Sequence, residues 1–149
     1  MYTGKPGSGK SYRVVYQLLR DSGRYYVFHN IAGLREAMIE DGQYIQRWDD
    51  IPQFFSKTKQ EEICKWVKEK YNRSTLIVID EAQCWFGERN AEYRAWLSWH
   101  RHLGQDIWLV CQHYKMLHSD YYNLADYECR GKRGIATGQF VYQYSVGVS

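Results

Sequence analysis

Only two prolines, Pro6 and Pro52, occur among the 149 residues, and no Ser/Gly/Pro-rich stretch, low-complexity tract or internal repeat interrupts them. A flexible tether between modules and a solenoid are thereby excluded. With 44% hydrophobic and 17% aromatic residues, the chain has ample material for a packed core, and one globular domain over residues 1–149 is expected. Long apolar runs are equally scarce. The longest, Ile107 to Cys111, falls far short of the roughly 20 residues needed to span a bilayer, so no membrane crossing is expected. No basic-then-apolar leader precedes Gly4, which predicts no secretory signal. Cys64, Cys84, Cys111 and Cys129 form no C-x-x-C pair and have no paired histidine spacing, which argues against a zinc site or a disulfide scaffold and for four free thiols. Nor is one sign of charge dominant. The balance of 20 Lys and Arg against 17 Asp and Glu gives +3, too little to require a nucleic-acid partner and no bar to one. Basic residues cluster at Arg130, Lys132 and Arg133, where a solvated face is the default reading and DNA or anionic lipid the sharper one.

What is present is an alternation of strand and helix patterns. Strands are expected at Tyr25 to Phe28, Tyr44 to Gln46, Thr75 to Ile79, Ile107 to Cys111 and Phe140 to Val146. Helical spacing places Val14, Val15, Leu18 and Leu19 on one stripe, Ile63, Trp66, Val67 and Tyr71 on a second, and Tyr93, Trp96, Leu97, His100 and Leu103 on a third that Gly104 should end. This order predicts an α/β fold with a mainly parallel sheet flanked by helices. Thr75 to Ile79 and Ile107 to Cys111 read as central strands, apolar on both faces. The run from Gly138 to Val146 alternates and reads as an antiparallel edge strand.

Gly4-Lys5-Pro6-Gly7-Ser8-Gly9-Lys10-Ser11 satisfies the Walker A pattern of a P-loop at every fixed position. Phosphate oxygens need several backbone N–H groups turned inward together, and Gly7 and Gly9 allow that turn without a Cβ clash. The loop should feed the helix Lys10 to Asp21, whose N-terminal N–H groups and dipole favour an anion. Lys10 is the expected partner of the β- and γ-phosphates and Ser11 a Mg²⁺ ligand, with Tyr12 next in the nucleotide-binding set. Leu76 to Ile79 then runs into Asp80 and Glu81, an apolar strand ending in two carboxylates. Asp80 would hold Mg²⁺ through a water, and Glu81 would position or deprotonate the attacking water. The expected ligand is ATP with Mg²⁺. Alone, the two carboxylates would serve equally as a cap for the following helix.

Further along, Leu76 to Phe86 (LIVIDEAQCWF) followed by His100 to Gln112 (HRHLGQDIWLVCQ) resembles the zonular occludens toxin family, the assembly ATPases of filamentous phages. The family reads, in outline, a "DE" strand end, an aromatic-containing loop, then "HR(H/K)xGxDI" and a hydrophobic strand. Asn30-Ile31-x-Gly33-Leu34 is similar to its "TN(I/V)xGL" segment, with His29 in place of the frequent Thr. The likeness runs from about Tyr2 to Tyr127. It implies an FtsK–HerA-like ATPase at the cytoplasmic face of the host inner membrane, coupling hydrolysis to virion assembly and extrusion of single-stranded DNA. It also implies a homo-oligomeric ring, phage assembly and coat proteins as partners, and membrane attachment through a region not in this chain. By the same resemblance Gln112 would sense the γ-phosphate and Arg101 would act as an arginine finger in trans, with Arg89 a second candidate. Against these stand plainer readings: Gln112 as a strand-end amide, Arg101 as an interface or solvent residue, His100 as a packed core residue, His102 without chemistry, and Trp85 and Phe86 as loop anchors. Only Met1, Tyr2 and Thr3 precede Gly4, so the first strand should be stunted, and the family's transmembrane and periplasmic parts are not among these residues. Two other functions compete with the motor: a small-molecule P-loop kinase and a non-hydrolysing assembly module switched by nucleotide.

Overall fold

The protein is described by a computed structural model over residues 1–34, 44–134 and 139–147. Among these residues seven strands form one sheet: β1 Tyr2–Thr3, β2 Tyr25–His29, β3 Tyr44–Arg47, β4 Ser74–Ile79, β5 Gln105–Cys111, β6 Tyr127–Arg133 and β7 Phe140–Val146. Their order is β3-β2-β4-β5-β1-β6-β7. Every neighbouring pair is parallel except β6 with β7, which is antiparallel and ends the sheet. Five α-helices accompany it: α1 Lys10–Asp21, α2 Lys57–Tyr71, α3 Gln83–Phe86, α4 Ala91–Trp99 and α5 Ser119–Tyr122. This is the α/β architecture that the alternating patterns predict, including the antiparallel final strand.

Strand β4 shows why both faces need cover. Its side chains alternate sides: Leu76 and Val78 join Val27 of β2 and Val14 and Leu18 of α1 in one core. Ile77 and Ile79 join Phe28, Ile63 and Val67 of α2, and Trp96 and Leu97 of α4 in the other. Leu76 to Ile79 are all 0% exposed, and each such burial is worth about 1.5–3 kcal/mol relative to an exposed side chain. Polar groups in the second core are paired. Trp96 Nε1–H donates to Gln105 Oε1 at 2.6 Å, and Gln105 Nε2–H donates to Gln60 Oε1 at 2.8 Å. The indole of Trp48 similarly donates to the Val78 carbonyl at 3.0 Å.

The helix ends follow local chemistry. Ser56 caps α2 by accepting from Lys59 N–H, and Asn72 closes it in the left-handed conformation at φ 51°. Asn90 caps α4 by accepting from Glu92 and Tyr93 N–H. A 3-10 turn, His100–Leu103, continues α4 and stops at Gly104, φ 62°, where the sequence placed the end.

Several expectations need correction. Strand β6 was not anticipated, because its sequence YECRGKR is polar and contains glycine. Arg130, read as part of an exposed basic cluster, is half-buried and paired with Glu128, which is 1% exposed. Lys132, which donates to Gln143 Oε1 at 3.1 Å across the β6–β7 pair, and Arg133 are both exposed and keep the character of a solvated face. Trp66 is 40% exposed rather than central on its stripe. The residues that α2 buries are Gln60, Ile63, Cys64 and Val67, and Trp66 packs at the rim against Tyr26 and Tyr71. His100, the first residue of the 3-10 turn that follows α4, is only half-buried. Ile107 and Trp108 are also half-buried, so β5 is less enclosed than a central strand should be. β1 pairs with only Val110 and Cys111 of β5, and a cavity of about 440 Å³ lined by Met1, Ile107, Trp108 and Tyr127 adjoins the earlier part of that strand. Gly138 lies outside the described residues.

Candidate functional site

Parallel strands align their C-terminal ends along one edge of the sheet, and that edge gathers the chemistry. From β1 the chain turns through residues 4–9 and enters α1. The loop requires glycine: Gly7 and Gly9 have φ 76° and 77°, in the region that a side chain disfavours. A Cβ at Gly4 would lie 2.3 Å from Ser8 Oγ and 2.8 Å from the Gly131 carbonyl, so packing alone requires a glycine there. Ser8 N–H donates to the Lys5 carbonyl at 3.0 Å, closing the turn. Arg13 N–H donates to the Gly9 carbonyl at 2.9 Å as the first bond of α1. The N–H groups of Lys10, Ser11 and Tyr12 therefore have no partner within the helix. A loop of this shape, running into a helix N-terminus with Lys10 at its start, can cradle an oligophosphate.

The neighbouring strand tips supply the rest. Gly4 N–H donates to the main-chain carbonyl of Gln112, just beyond β5, at 3.1 Å. Next along the edge, β4 ends at Asp80 and Glu81. Asn30, just after β2, holds this end from both sides: its Nδ2–H donates to the Asp80 carbonyl at 3.0 Å, and its Oδ1 accepts from Asp80 N–H at 2.6 Å. Glu81 has φ 50°, a conformation uncommon outside glycine, and its carboxylate accepts from Gln83 Nε2–H. Burial pushes the Asp80 carboxyl above its ordinary value and the Glu81 charge adds to the rise, while the Glu81 N–H and the Lys10 ammonium oppose it.

Beneath the loop sits a buried charge. Glu128 of β6 takes hydrogen bonds from Thr3 Oγ1–H and from the Arg130 guanidinium, the latter at 3.0 Å to Oε2 and 3.2–3.3 Å to Oε1. Neither Glu128 nor Asn30 belongs to a chemical motif. Only the Asn-Ile-x-Gly-Leu segment singled out Asn30, and nothing in the sequence singled out Glu128.

Other expected site residues lie elsewhere. Arg101 and His102 are in the turn before β5, at the opposite end of that strand from Gln112, about 20 Å away at ~3.3 Å per residue. Arg101 is exposed and paired with Asp126. His102 is stacked on Trp99 with ring centroids 4.1 Å apart. Arg89 pairs with Asp120 at 3.1 Å, and Arg94 approaches the same carboxylate at 3.9 Å. Phe86, 0% exposed, is part of the core rather than a loop anchor, and Trp85 packs edge-on against Trp48. Among the described residues no helix is long and apolar enough to cross a membrane.

A glycine-rich loop at the tip of one strand, with paired carboxylates at the tip of a second and a third strand between them, defines the fold of a P-loop NTPase. The zonular occludens toxin (Zot) family model matches residues 1–147, and the chain belongs to that family. No curated protein matches the sequence. The fold is similar to the N-terminal domain of zonular occludens toxin from Neisseria meningitidis, with a TM-score of 0.68 and 25% identity over 99% of this chain and 83% of that one. It is also similar to the genome packaging NTPase B204 from Sulfolobus turreted icosahedral virus 2 in complex with AMPPCP, with a TM-score of 0.66 and 22% identity over 92% of this chain and 75% of that one. The flagellar accessory protein FlaH from Methanocaldococcus jannaschii shares the fold more distantly, at a TM-score of 0.51 and 14% identity, over 97% of this chain and 75% of that one.

Proposed function

We propose that Gly4 to Ser11, with Tyr12, bind a magnesium-bound nucleoside triphosphate, ATP above all, and that the chain hydrolyses it to drive assembly and export of filamentous phage. The observation that carries this reading is the hydrogen bond from Gly4 to Gln112 beside the pinned end of β4. It supports one continuous site made of the phosphate loop, Asp80, Glu81 and the Gln112 side chain. The B204 NTPase of the same fold has been solved with AMP, AMPPCP and ATP-gammaS, which supports a nucleotide as the ligand here.

The donor set fits the substrate. Free N–H groups at the start of α1 and the Lys10 ammonium suit the β- and γ-phosphates. Among the described residues no cluster of His, Cys, Asp or Glu could cage a metal. Mg²⁺ does not need one, since it is commonly held by one or two carboxylates together with substrate phosphates. Ser11 would ligate the ion and Asp80 would hold it through a water, and the ion would neutralise phosphate charge. Glu81, exposed at the strand end, would orient a water or take its proton, and Gln112 would report on the terminal phosphate. Arg101, at the far end of β5, would serve only in the site of a neighbouring subunit, after leaving Asp126. That requirement favours a homo-oligomeric ring, with phage coat and assembly proteins, single-stranded DNA and the inner membrane as its surroundings.

Phosphate release measured across protein concentration, with and without single-stranded DNA, tests this reading. Glu81→Gln should bind ATP normally and lose about 100-fold or more of its turnover. Lys10→Ala should lose binding. Undiminished nucleotide affinity in the Lys10 variant would refute the site, and binding without release by the unaltered protein would leave only a nucleotide-switched module.

A further inference from the structure

Beside the phosphate loop, the start of β7 and the first turn of α1 expose aromatic rings. Phe140 opens β7, and a Cβ added at Gly9 would meet its ring carbons at 2.5–2.9 Å, so the phenyl lies directly against the Gly9 backbone. Tyr12 is 65% exposed and Phe140 44% exposed. Their ring centroids are 6.3 Å apart, with planes inclined by 32°. Tyr142, one pleat further along β7, donates its hydroxyl to the Gly9 carbonyl at 3.0 Å and fixes the strand to the loop. The Arg13 guanidinium lies 5.5–5.8 Å from the rings of Tyr16, Tyr142 and Tyr144, which ties α1 to the same strand. Tyr12 is in turn stacked on Tyr16, with centroids 6.5 Å apart, and Phe140 rests on the Gly9 backbone, so both rings are supported from one side at the mouth of the site and remain exposed on the rest of their surface.

Topology fixes which end of a nucleotide would meet them. Along the C-terminal edge the order is β4, β5, β1, β6, β7. Asp80, Glu81 and Gln112 stand on the β4 and β5 side of the loop, and Phe140 stands on the other. A triphosphate whose terminal phosphate faces the carboxylates carries its nucleoside toward Phe140 and Tyr12. We propose that Tyr12 and Phe140 form the platform on which the purine base of that nucleotide stacks, an inference that rests on the phosphate-loop reading above. Stacking uses ring faces, which every purine has, so the platform takes adenine and guanine alike.

Calorimetric titration of the whole chain with two Mg²⁺-loaded probes, AMPPNP and inorganic tripolyphosphate, tests the platform. Base stacking on an aromatic side chain corresponds to about a 5- to 150-fold change in affinity. Tyr12→Leu and Phe140→Leu, which keep apolar bulk, should each weaken AMPPNP by about tenfold and leave tripolyphosphate unchanged. Tyr12→Phe and Phe140→Tyr should retain both affinities. Equal loss of the two probes in the leucine variants would overturn the platform, because it would mean a distorted phosphate loop. AMPPNP binding indifferent to both leucine substitutions would overturn the platform and leave the phosphate loop standing. Failure of the unaltered protein to bind either probe would overturn both.

Discussion

Replacing Arg130 with alanine isolates the buried charge beneath the phosphate loop. Glu128 is 1% exposed and its oxygens accept from Thr3 and from Arg130. Removing one partner of a buried ion pair costs about 3–5 kcal/mol, because the remaining charge is left uncompensated in a poorly solvated place. The Arg130 side chain is itself 34% exposed, so water already screens part of the attraction and a loss near the low end, about 3 kcal/mol, is expected. Urea unfolding at neutral pH would read this as a midpoint lowered by ~1.5 M, taking a slope of about 2 kcal/mol per M. The paired substitution Glu128→Met with Arg130→Met removes both charges and should recover most of the loss. A midpoint shift under ~0.5 M in Arg130→Ala, equivalent to about 1 kcal/mol, would refute the reasoning. So would a double variant no more stable than the single one.

Three further outcomes follow from other groups in and beside the core. His29 is 0% exposed, and burial chiefly pushes its imidazole down to about 4, with Arg47 adding to the drop. Its unfolded value is higher, so the unfolded chain binds more protons and stability should fall as pH drops from about 6.5 to about 4, by about 3 kcal/mol. An NMR titration finding the His29 midpoint near 6 would contradict this. Gln105→Leu strands the Trp96 indole N–H and the Gln60 carbonyl, and should cost about 2–4 kcal/mol in chemical unfolding while leaving nucleotide affinity alone. Asn30→Ala removes two hydrogen bonds to the Asp80 main chain, each worth about 0.5–1.5 kcal/mol net. It should lower kcat more than it raises KM, because both bonds go to the main chain of the β4 tip and position its carboxylates; an effect confined to KM would contradict that role.

Elements with strong local patterns were legible in the sequence. The apolar run into Asp80 and Glu81 became β4, the loop glycines took the positive φ values their spacing implied, and Gly104 ended its helical stretch in the left-handed conformation. Strand β6 was hidden because its register buries a glutamate, a cysteine and a glycine rather than a row of large apolar residues. Its stability comes from pairing with β1 and β7 on both sides, which is tertiary information. Asn30 was visible only as part of a family segment, since its hydrogen-bond partners lie 50 residues away in sequence. The proximity of Phe140 to Gly9 spans a far longer stretch of chain. No periodicity in either segment could report it, because contact between distant segments leaves no local trace.

The bond from Gly4 to Gln112 is made to a main-chain carbonyl. This link between the phosphate loop and β5 is thus independent of the side chain at position 112, and a substitution there leaves the bond in place. Under the proposed function, architecture and sensing would be separable at that position: the Gln112 carbonyl holds the loop, while its side-chain amide can be exchanged for another chemistry. A series of substitutions there would vary the response to the terminal phosphate against an unchanging cradle.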